Sequence, residues 1–455
     1  MRRPSPRQVT GAAGLVLAGV GTVGLAAGGG VPAAAALGLG VVAAQALLLD
    51  TRPVKTPVVM LHSVSGFRAD RPETFSVWCP PEHFENYLKY LKWRGYTTIT
   101  LDQLYRHLSA GEALPERPIV LTFDDGYLDN WVYAAPLLEK YGFTGTVFVP
   151  TDFIQPGETV RPTLREVWSG EVREEELEVY GYLNRAEIRA LSASGLLDVQ
   201  SHGRTHTWVP VTDEIIDFHR PGLPLRQLRW NWWNAFPERK PFWFQQIDHH
   251  DLPWGQPVYR SDLRLARPEF RVDTTLPSVL TDFVARQGGE RFFDEPRWRD
   301  YLEEVVTAHR QQAPPPAGQV DEQAFREVLR DELEGSRKIL EDLTGREVRF
   351  MCWPNGGTCP QAFAMLEACG YKAATLPSRM KQPRNFAGTD PARIGRVSAT
   401  SFFREARAAL PWIASFAMKI ERNRGNLYME VPIKAIWFYR RFIRPARRTP
   451  PGAEG

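Results

Sequence analysis

Three short motifs in this 455-residue chain combine residue types and spacings that suit one kind of chemistry, the activation of water by a bound metal ion. The first is Thr122-Phe123-Asp124-Asp125-Gly126-Tyr127, directly after the apolar run Ile119–Leu121. Adjacent carboxylates at a strand end point different ways, so one can hold a metal while the other takes a proton from water. The second is Ser201-His202-Gly203-Arg204-Thr205-His206, after Leu197–Gln200. Imidazoles four residues apart lie on one face of a helical turn, or converge from a tight loop, which suits two nitrogen ligands of one zinc-like ion. One Asp with two His makes a three-ligand set that leaves a position open for water. The third is Cys352-Trp353-Pro354-Asn355-Gly356-Gly357, after the expected strand Val348–Met351. A Pro-Asn-Gly turn presents backbone N–H groups of the kind a developing oxyanion requires. Taken singly, each motif also reads as a helix-capping turn, a pair of ordinary histidines or a plain β-turn. Their shared place after a strand is what joins them.

The elements that must position these residues follow from hydrophobic periodicity. Short apolar runs at Pro57–Leu61, Ile119–Phe123, Thr146–Val149, Leu197–Gln200, Val348–Trp353 and Ala373–Leu376 have the length of buried parallel strands. Helical patterns lie between them at Pro81–Arg94, Asn130–Tyr141, Asn184–Ser194, Glu322–Leu343 and Gln361–Cys369. This alternation predicts an α/β fold with a parallel sheet, either doubly wound or a barrel, with its site at the carboxyl ends of the strands. The alternation lapses between about Trp208 and Val320, a stretch holding Arg229-Trp230-Asn231-Trp232-Trp233-Asn234, Phe242-Trp243-Phe244 and Asp248-His249-His250-Asp251. It reads as an insertion whose tryptophans form its own core or a wall on which sugar rings stack.

In their joint order the motifs resemble the polysaccharide deacetylase family, the NodB-homology or carbohydrate esterase family 4 group. Thr122–Gly126 matches its first motif, His202 and His206 its second, and Pro354–Gly356 its third. The opening Val59-Met60-Leu61-His62-Ser63-Val64, with Phe84–Tyr96 after it, looks like the branch that deacetylates poly-N-acetylglucosamine. The resemblance covers about residues 57–207 and 321–400. It implies a distorted (β/α) barrel and metal-dependent hydrolysis of N-acetyl groups on a glycan. By position it makes Asp125, His202 and His206 the ligands of one divalent ion, usually zinc. It makes Asp124 the general base and the Asn355 backbone N–H the oxyanion donor, with His62, Tyr127, Trp353 and Pro354 as substrate contacts. Gly203 stands where the family usually has Ser or Thr. Cys352 stands where many members carry an Arg that pairs with the base, a task left to Arg393 or Arg396. There is no Leu-x-His near the end of the domain to serve as general acid, so His62, His249 and His250 are candidates. Two rival readings stay open: a non-catalytic glycan-binding protein on the same fold, and a hydrolase of a small amide. An open groove would favour the polymer and a closed pocket the small amide.

The rest of the chain bounds its setting. With 56 Lys and Arg against 53 Asp and Glu, the net charge of +3 is too small for the footprint nucleic acid demands. The four cysteines show no CxxC zinc spacing and are too few for a disulfide scaffold. Residues 1–56 read as a membrane anchor: Arg2, Arg3 and Arg7 precede an uncharged stretch from Gln8 to Leu49, broken by Gly28-Gly29-Gly30-Val31-Pro32. One or two transmembrane helices fit, and the catalytic part is expected at the membrane on its extracytoplasmic or cytoplasmic side. The C-terminal segment 401–455 mixes aromatics with bases, as in Ile436-Trp437-Phe438-Tyr439-Arg440-Arg441, and reads as a membrane-surface segment or a helix packed on the domain. The expected partners are thus an N-acetylated glycan and membrane lipid, with no nucleic acid.

Overall fold

The computed structural model describes residues 55–66, 78–312, 318–376, 385–402, 409–426 and 429–439. At its centre is a parallel sheet of eight strands: β1 (Val58–Leu61), β2 (Thr97–Thr98), β3 (Pro118–Phe123), β4 (Gly145–Val149), β5 (Leu197–Ser201), β8 (Phe350–Cys352), β9 (Ala373–Thr375) and β10 (Val397–Ser398). The order is β10-β1-β3-β4-β5-β8-β9, with β2 joined to the start of β3. β3 is buried along its whole length, which is why it reads as an unbroken apolar run rather than an alternation.

The sheet curls until its edges nearly meet. Ile394 bridges β9 through Thr375, its N–H donating to Ala374 at 2.9 Å and its carbonyl accepting from Leu376 at 2.8 Å. Three residues later Val397 pairs with Val59 of β1. One short segment therefore spans both edges, giving a parallel sheet wrapped toward a barrel. The six strands expected from apolar runs are all present, with ends shifted by one or two residues. β2 and β10, two residues each, are too short to leave a periodic signal.

Helices cover the outside of the sheet. Pro81–Trp93 buries Phe84, Tyr87, Leu88 and Leu91. Arg185–Ser194 starts at a capping box, in which Asn184 Oδ1 accepts from the Glu187 N–H and Glu187 Oε2 accepts from the Asn184 N–H. The pattern expected over Glu322–Leu343 is one helical run with a wide turn at Asp331–Gly335 in its middle. The helix expected over Gln361–Cys369 is shorter, Pro360–Met365.

Between β5 and β8 the chain leaves the barrel. β6 (Trp208–Phe218) and β7 (Pro257–Leu263) form an antiparallel pair, joined by the helix Leu225–Ala235 and short turns, and followed by helices Leu276–Arg286 and Trp298–Gln312. Trp230, Trp232, Trp233, Trp243 and Phe244 cluster with Phe153 and Tyr182 of the barrel loops, so this aromatic core is continuous with the rim of the sheet. The helix Ala409–Arg424 closes the other side: Phe416 stacks on Tyr87 at 4.1 Å, and buried Glu421 accepts from Tyr96, Arg94, Arg117 and Arg424. Of the expected terminal membrane segments, residues 1–54 and 440–455 lie outside the described residues. Among the described residues no helix is long and apolar enough to cross a membrane.

Candidate active site

His62 follows β1, Asp124 and Asp125 follow β3, His202 follows β5, and Asn355 lies in the turn after β8. All stand at the carboxyl ends of parallel strands, so one rim collects them. Four described residues other than glycine have positive φ, and three of them are here: Asp125 at 74°, His206 at 46° and Asn355 at 48°. Left-handed backbone at non-glycine residues costs of order 1–3 kcal/mol each and persists where surrounding structure fixes it, as at functional sites.

Asp125, His202 and His206 converge, their candidate ligand atoms all within 4.8 Å of one another. Asp125 Oδ1 lies 3.2 Å from Nε2 of each imidazole. Burial would raise the Asp125 carboxyl, but hydrogen bonds to His202 and His206 outweigh it and hold the group well below its ordinary range. Nδ1 of His202 lies 2.8 Å from the Cys352 carbonyl oxygen, to which it donates, so Nε2 is the atom turned toward Asp125. Two imidazole nitrogens and one carboxylate oxygen, with one ring anchored through its far nitrogen, fit a divalent ion of zinc's kind. Burial lowers the pKa of His206. For His202 burial acts the same way, but Cys352 and the Asp125 carboxylate raise it well above the usual value.

Asp124 is almost fully buried, and Arg396 Nη1 donates to its Oδ1 at 2.6 Å. Burial pushes this carboxyl up, while the Arg396 charge, followed by His62 and His202, brings it below its ordinary value. Of the two arginines that sequence offers as partner, Arg396 makes the pair, whereas Arg393 lies over the Phe363 ring at 4.4 Å. Arg396 also donates to the Leu376 carbonyl and the Thr122 hydroxyl, which fixes its direction. His62 Nε2 lies 3.8 Å from Asp124 Oδ2. Asp129 holds the loop after His62: it accepts from the Val64 N–H at 2.9 Å and from the Ser63 hydroxyl, and the neighbouring Asn130 donates to the His62 carbonyl. Burial outweighs these hydrogen bonds and pushes Asp129 up to about 7.

A cavity of about 100 Å³ opens onto two of the trio, lined by His62, Asp125, Tyr127, His206 and Asn355 from the barrel and by Arg229, Trp230, Trp233, Trp243 and Phe244 from the inserted segment. The tryptophans are thus both core and cavity wall, the two roles sequence leaves open. Tyr127 stacks on Tyr182 at 5.5 Å within this wall. Trp353 and Pro354 are not brought to the cavity. Trp353 is buried against Phe363, and Pro354 packs beside Gly203. His249 and His250 lie elsewhere in the insertion, against His219 and Trp254.

Two residues that the motifs do not point to complete the arrangement. Glu332, buried in the wide helical turn, accepts from the Arg204 and Thr205 N–H groups at 2.9 and 3.1 Å and from the Thr205 hydroxyl, so it holds the loop between the two histidines. Arg229 lies over Trp230 at 4.3 Å. Neither belongs to a local motif; only an acid in a helix aimed at a strand end, or an Arg amid tryptophans, hints at them.

A wrapped parallel sheet with an Asp-His-His donor set and a charge-paired acid at its carboxyl rim defines a barrel with a candidate hydrolytic centre. A family model described as polysaccharide deacetylase matches residues 111–219, which hold the Asp pair and both histidines. The chain is 36% identical over 98 residues to the putative polysaccharide deacetylase YxkH of Bacillus subtilis (strain 168), covering 22% of this chain and 33% of that protein. It thus spans about a third of the length of the curated relative it matches. Similar solved structures include the BpsB deacetylase domain from Bordetella bronchiseptica, at 16% identity and TM-score 0.44 over 76% of this chain and 98% of that one. IcaB from Ammonifex degensii is similar at 16% identity and TM-score 0.40, over 80% and 98%. The likeness to the polysaccharide deacetylase family thus lies in residues 111–219, the part of the chain that holds Asp124, Asp125, His202 and His206.

Proposed function

We propose that this protein is a metal-dependent deacetylase that removes N-acetyl groups from an amino-sugar glycan. The observation that carries this reading is the single rim that holds the Asp125-His202-His206 donor set and the Asp124–Arg396 pair, beside a cavity lined by Asp125, His206, His62 and Asn355. Asp125, His202 and His206 would hold a divalent cation, probed first as zinc. Such a cation supplies Lewis acidity, which polarises the acetamide carbonyl and acidifies water.

The residues of the chain divide the remaining work. Asp124, kept ionised by Arg396, takes a proton from the attacking water. The Asn355 backbone N–H donates to the oxygen on which negative charge develops. His62, beside Asp124 and on the cavity wall, hands a proton to the departing amine, the task for which the expected C-terminal histidine is missing. The products are acetate and a free amino sugar. Tyr127, Tyr182 and the tryptophans that line the cavity would give the sugar's apolar edge an aromatic surface at the cavity mouth.

The cavity supports a second reading. At about 100 Å³ it is smaller than the roughly 300–1,000 Å³ of sites that engulf a drug-sized ligand. That size favours a substrate that presents one acetamido group end-on, including a small amide. The test is acetate release by the full chain from poly-N-acetylglucosamine, an N-acetylated chitooligosaccharide and a small N-acetyl amide, with zinc or a chelator, beside Asp124→Asn. Metal-dependent acetate that disappears in the variant supports the deacetylase, and the preferred substrate separates the two readings. Bound zinc without acetate from any substrate refutes both.

A further inference from the structure

The three residues between the candidate ligands His202 and His206 are gripped at every carbonyl. The Gly203 carbonyl accepts from the Thr151 N–H at 3.2 Å and the Arg204 carbonyl from the Asp152 N–H at 3.0 Å, both from the loop after β4. The third, that of Thr205, accepts from Lys240 Nζ at 3.0 Å. Lys240 belongs to the turn Pro237–Phe242 of the inserted segment and is only 2% exposed. Its charge is met by Asp152 Oδ2 at 3.4 Å, and Arg204 Nε donates to the other oxygen of that carboxylate. Lys240 is not a lining residue of the cavity, so it acts through the loop and not on a bound molecule.

The peptide whose carbonyl Lys240 holds joins Thr205 to His206, and turning that peptide changes φ of His206. That angle is 46°, in the left-handed region where a residue with a side chain stays only when its surroundings fix it. With this backbone the His206 Nε2 faces Asp125 Oδ1 at 3.2 Å, and a relaxed φ would swing the imidazole away. A bond donated by an ammonium is stronger than one between neutral groups, which suits it to holding a strained peptide. Resting on the donor set proposed above, though not on the reaction, we infer that Lys240 is a positioning residue: the inserted segment supplies the bond that keeps His206 turned toward Asp125 and His202, so the metal site is incomplete without that segment. By linkage, zinc that engages His206 also tightens the turn that carries Lys240.

The experiment measures the zinc Kd of the full chain by competition with a chromophoric chelator, and the visible absorption of cobalt bound in place of zinc. Lys240→Met weakens zinc about 10- to 100-fold, as loss of a partner behind a ligand does, and moves the cobalt bands toward those of His206→Ala. Leu280→Ala is the control: Leu280 is buried in the other core of the insertion, so its loss lowers the urea midpoint and leaves zinc and cobalt binding unchanged. Native zinc affinity with native cobalt bands in Lys240→Met overturns the inference, as does an equal loss of zinc in Leu280→Ala. If Lys240→Met does not fold, amide exchange of the native chain decides. Zinc that slows exchange across Pro237–Phe242 as well as the loop between the histidines supports the inference, and protection confined to the loop overturns it. If the native chain binds no zinc, the donor-set reading falls, and the histidine ring resonances of the metal-free chain decide. A shift of His206 but not His62 in Lys240→Met supports the inference, and an unmoved His206 overturns it.

Discussion

Replacing Arg396 by Met, a residue of similar length without charge, tests how Asp124, the proposed general base, is kept ionised. The pair is short, 2.6 Å, and both side chains are shielded from water. Removing one partner of a buried ion pair strands the other charge, at a cost of about 3–5 kcal/mol. In Asp124 the influences then reduce chiefly to burial, which pushes the carboxyl up. The base is therefore protonated over more of the neutral range, and the acid limb of the kcat/KM profile moves to higher pH. Loss of a positioned base lowers turnover by about 10²–10⁴-fold at neutral pH, with partial recovery in alkali. Urea unfolding of Arg396→Met, Asp124→Asn and the double variant separates charge from shape. Because Asn at 124 removes the stranded charge, the double variant recovers most of the loss. It retains a deficit of about 1–2 kcal/mol from the Arg396 bonds to Leu376 and Thr122. A cost of Arg396→Met below about 1 kcal/mol, or a double variant as unstable as the sum of its parts, would refute this account.

Zinc at about 100 times its Kd raises the stability of the folded chain by about 2.7 kcal/mol, read as a higher calorimetric midpoint, and His206→Ala abolishes the gain. Glu332→Gln weakens zinc affinity about 10- to 100-fold by loosening the loop between the histidines, measured by competition with a chromophoric chelator. Asp129, whose pKa is pushed up from 3.8 to about 7, favours the fold fully below about pH 4 and loses that advantage as pH rises to about 7. The loss is about 4 kcal/mol, so Asp129→Asn flattens the fall in urea midpoint across that window. Gly357→Ala places a methyl 2.6 Å from Cβ of Leu263, so the turn after β8 and the strand β7 move apart at a cost of about 1–3 kcal/mol, seen as a lower thermal midpoint.

The barrel is legible because a buried parallel strand writes itself as a local apolar run, and Asp125 and His202 of the candidate donor set sit immediately after such runs. β3 with Asp124 and Asp125, and β5 with His202, show this directly. β10 is two residues long, so the sequence offers no strand there and leaves Arg393 and Arg396 equivalent. Only the closure through Ile394 decides which of them turns inward. Arg229 is harder still. In a run of tryptophans it reads as core, and its place at the cavity follows from helix Leu225–Ala235 packing against Phe153 and Tyr182, contacts that local periodicity does not encode. β6 and β7 hide for a related reason. Their pairing shifts register between Pro210 and Ile215, which interrupts the alternation a hairpin would otherwise show.

The segment that spans both sheet edges also sets an order of events during synthesis. Asp124 and the guanidinium that pairs with it are 272 positions apart, so a ribosome delivers the acid long before its partner. Until Ile394–Ser398 emerges, β1 and β9 both have open edges and the carboxyl has no cation beside it. Contacts between distant positions form slowly because a long loop must close first. A chain cut short within the last strands would therefore possess every residue of the Asp-His-His set and still lack the cation that pairs with Asp124.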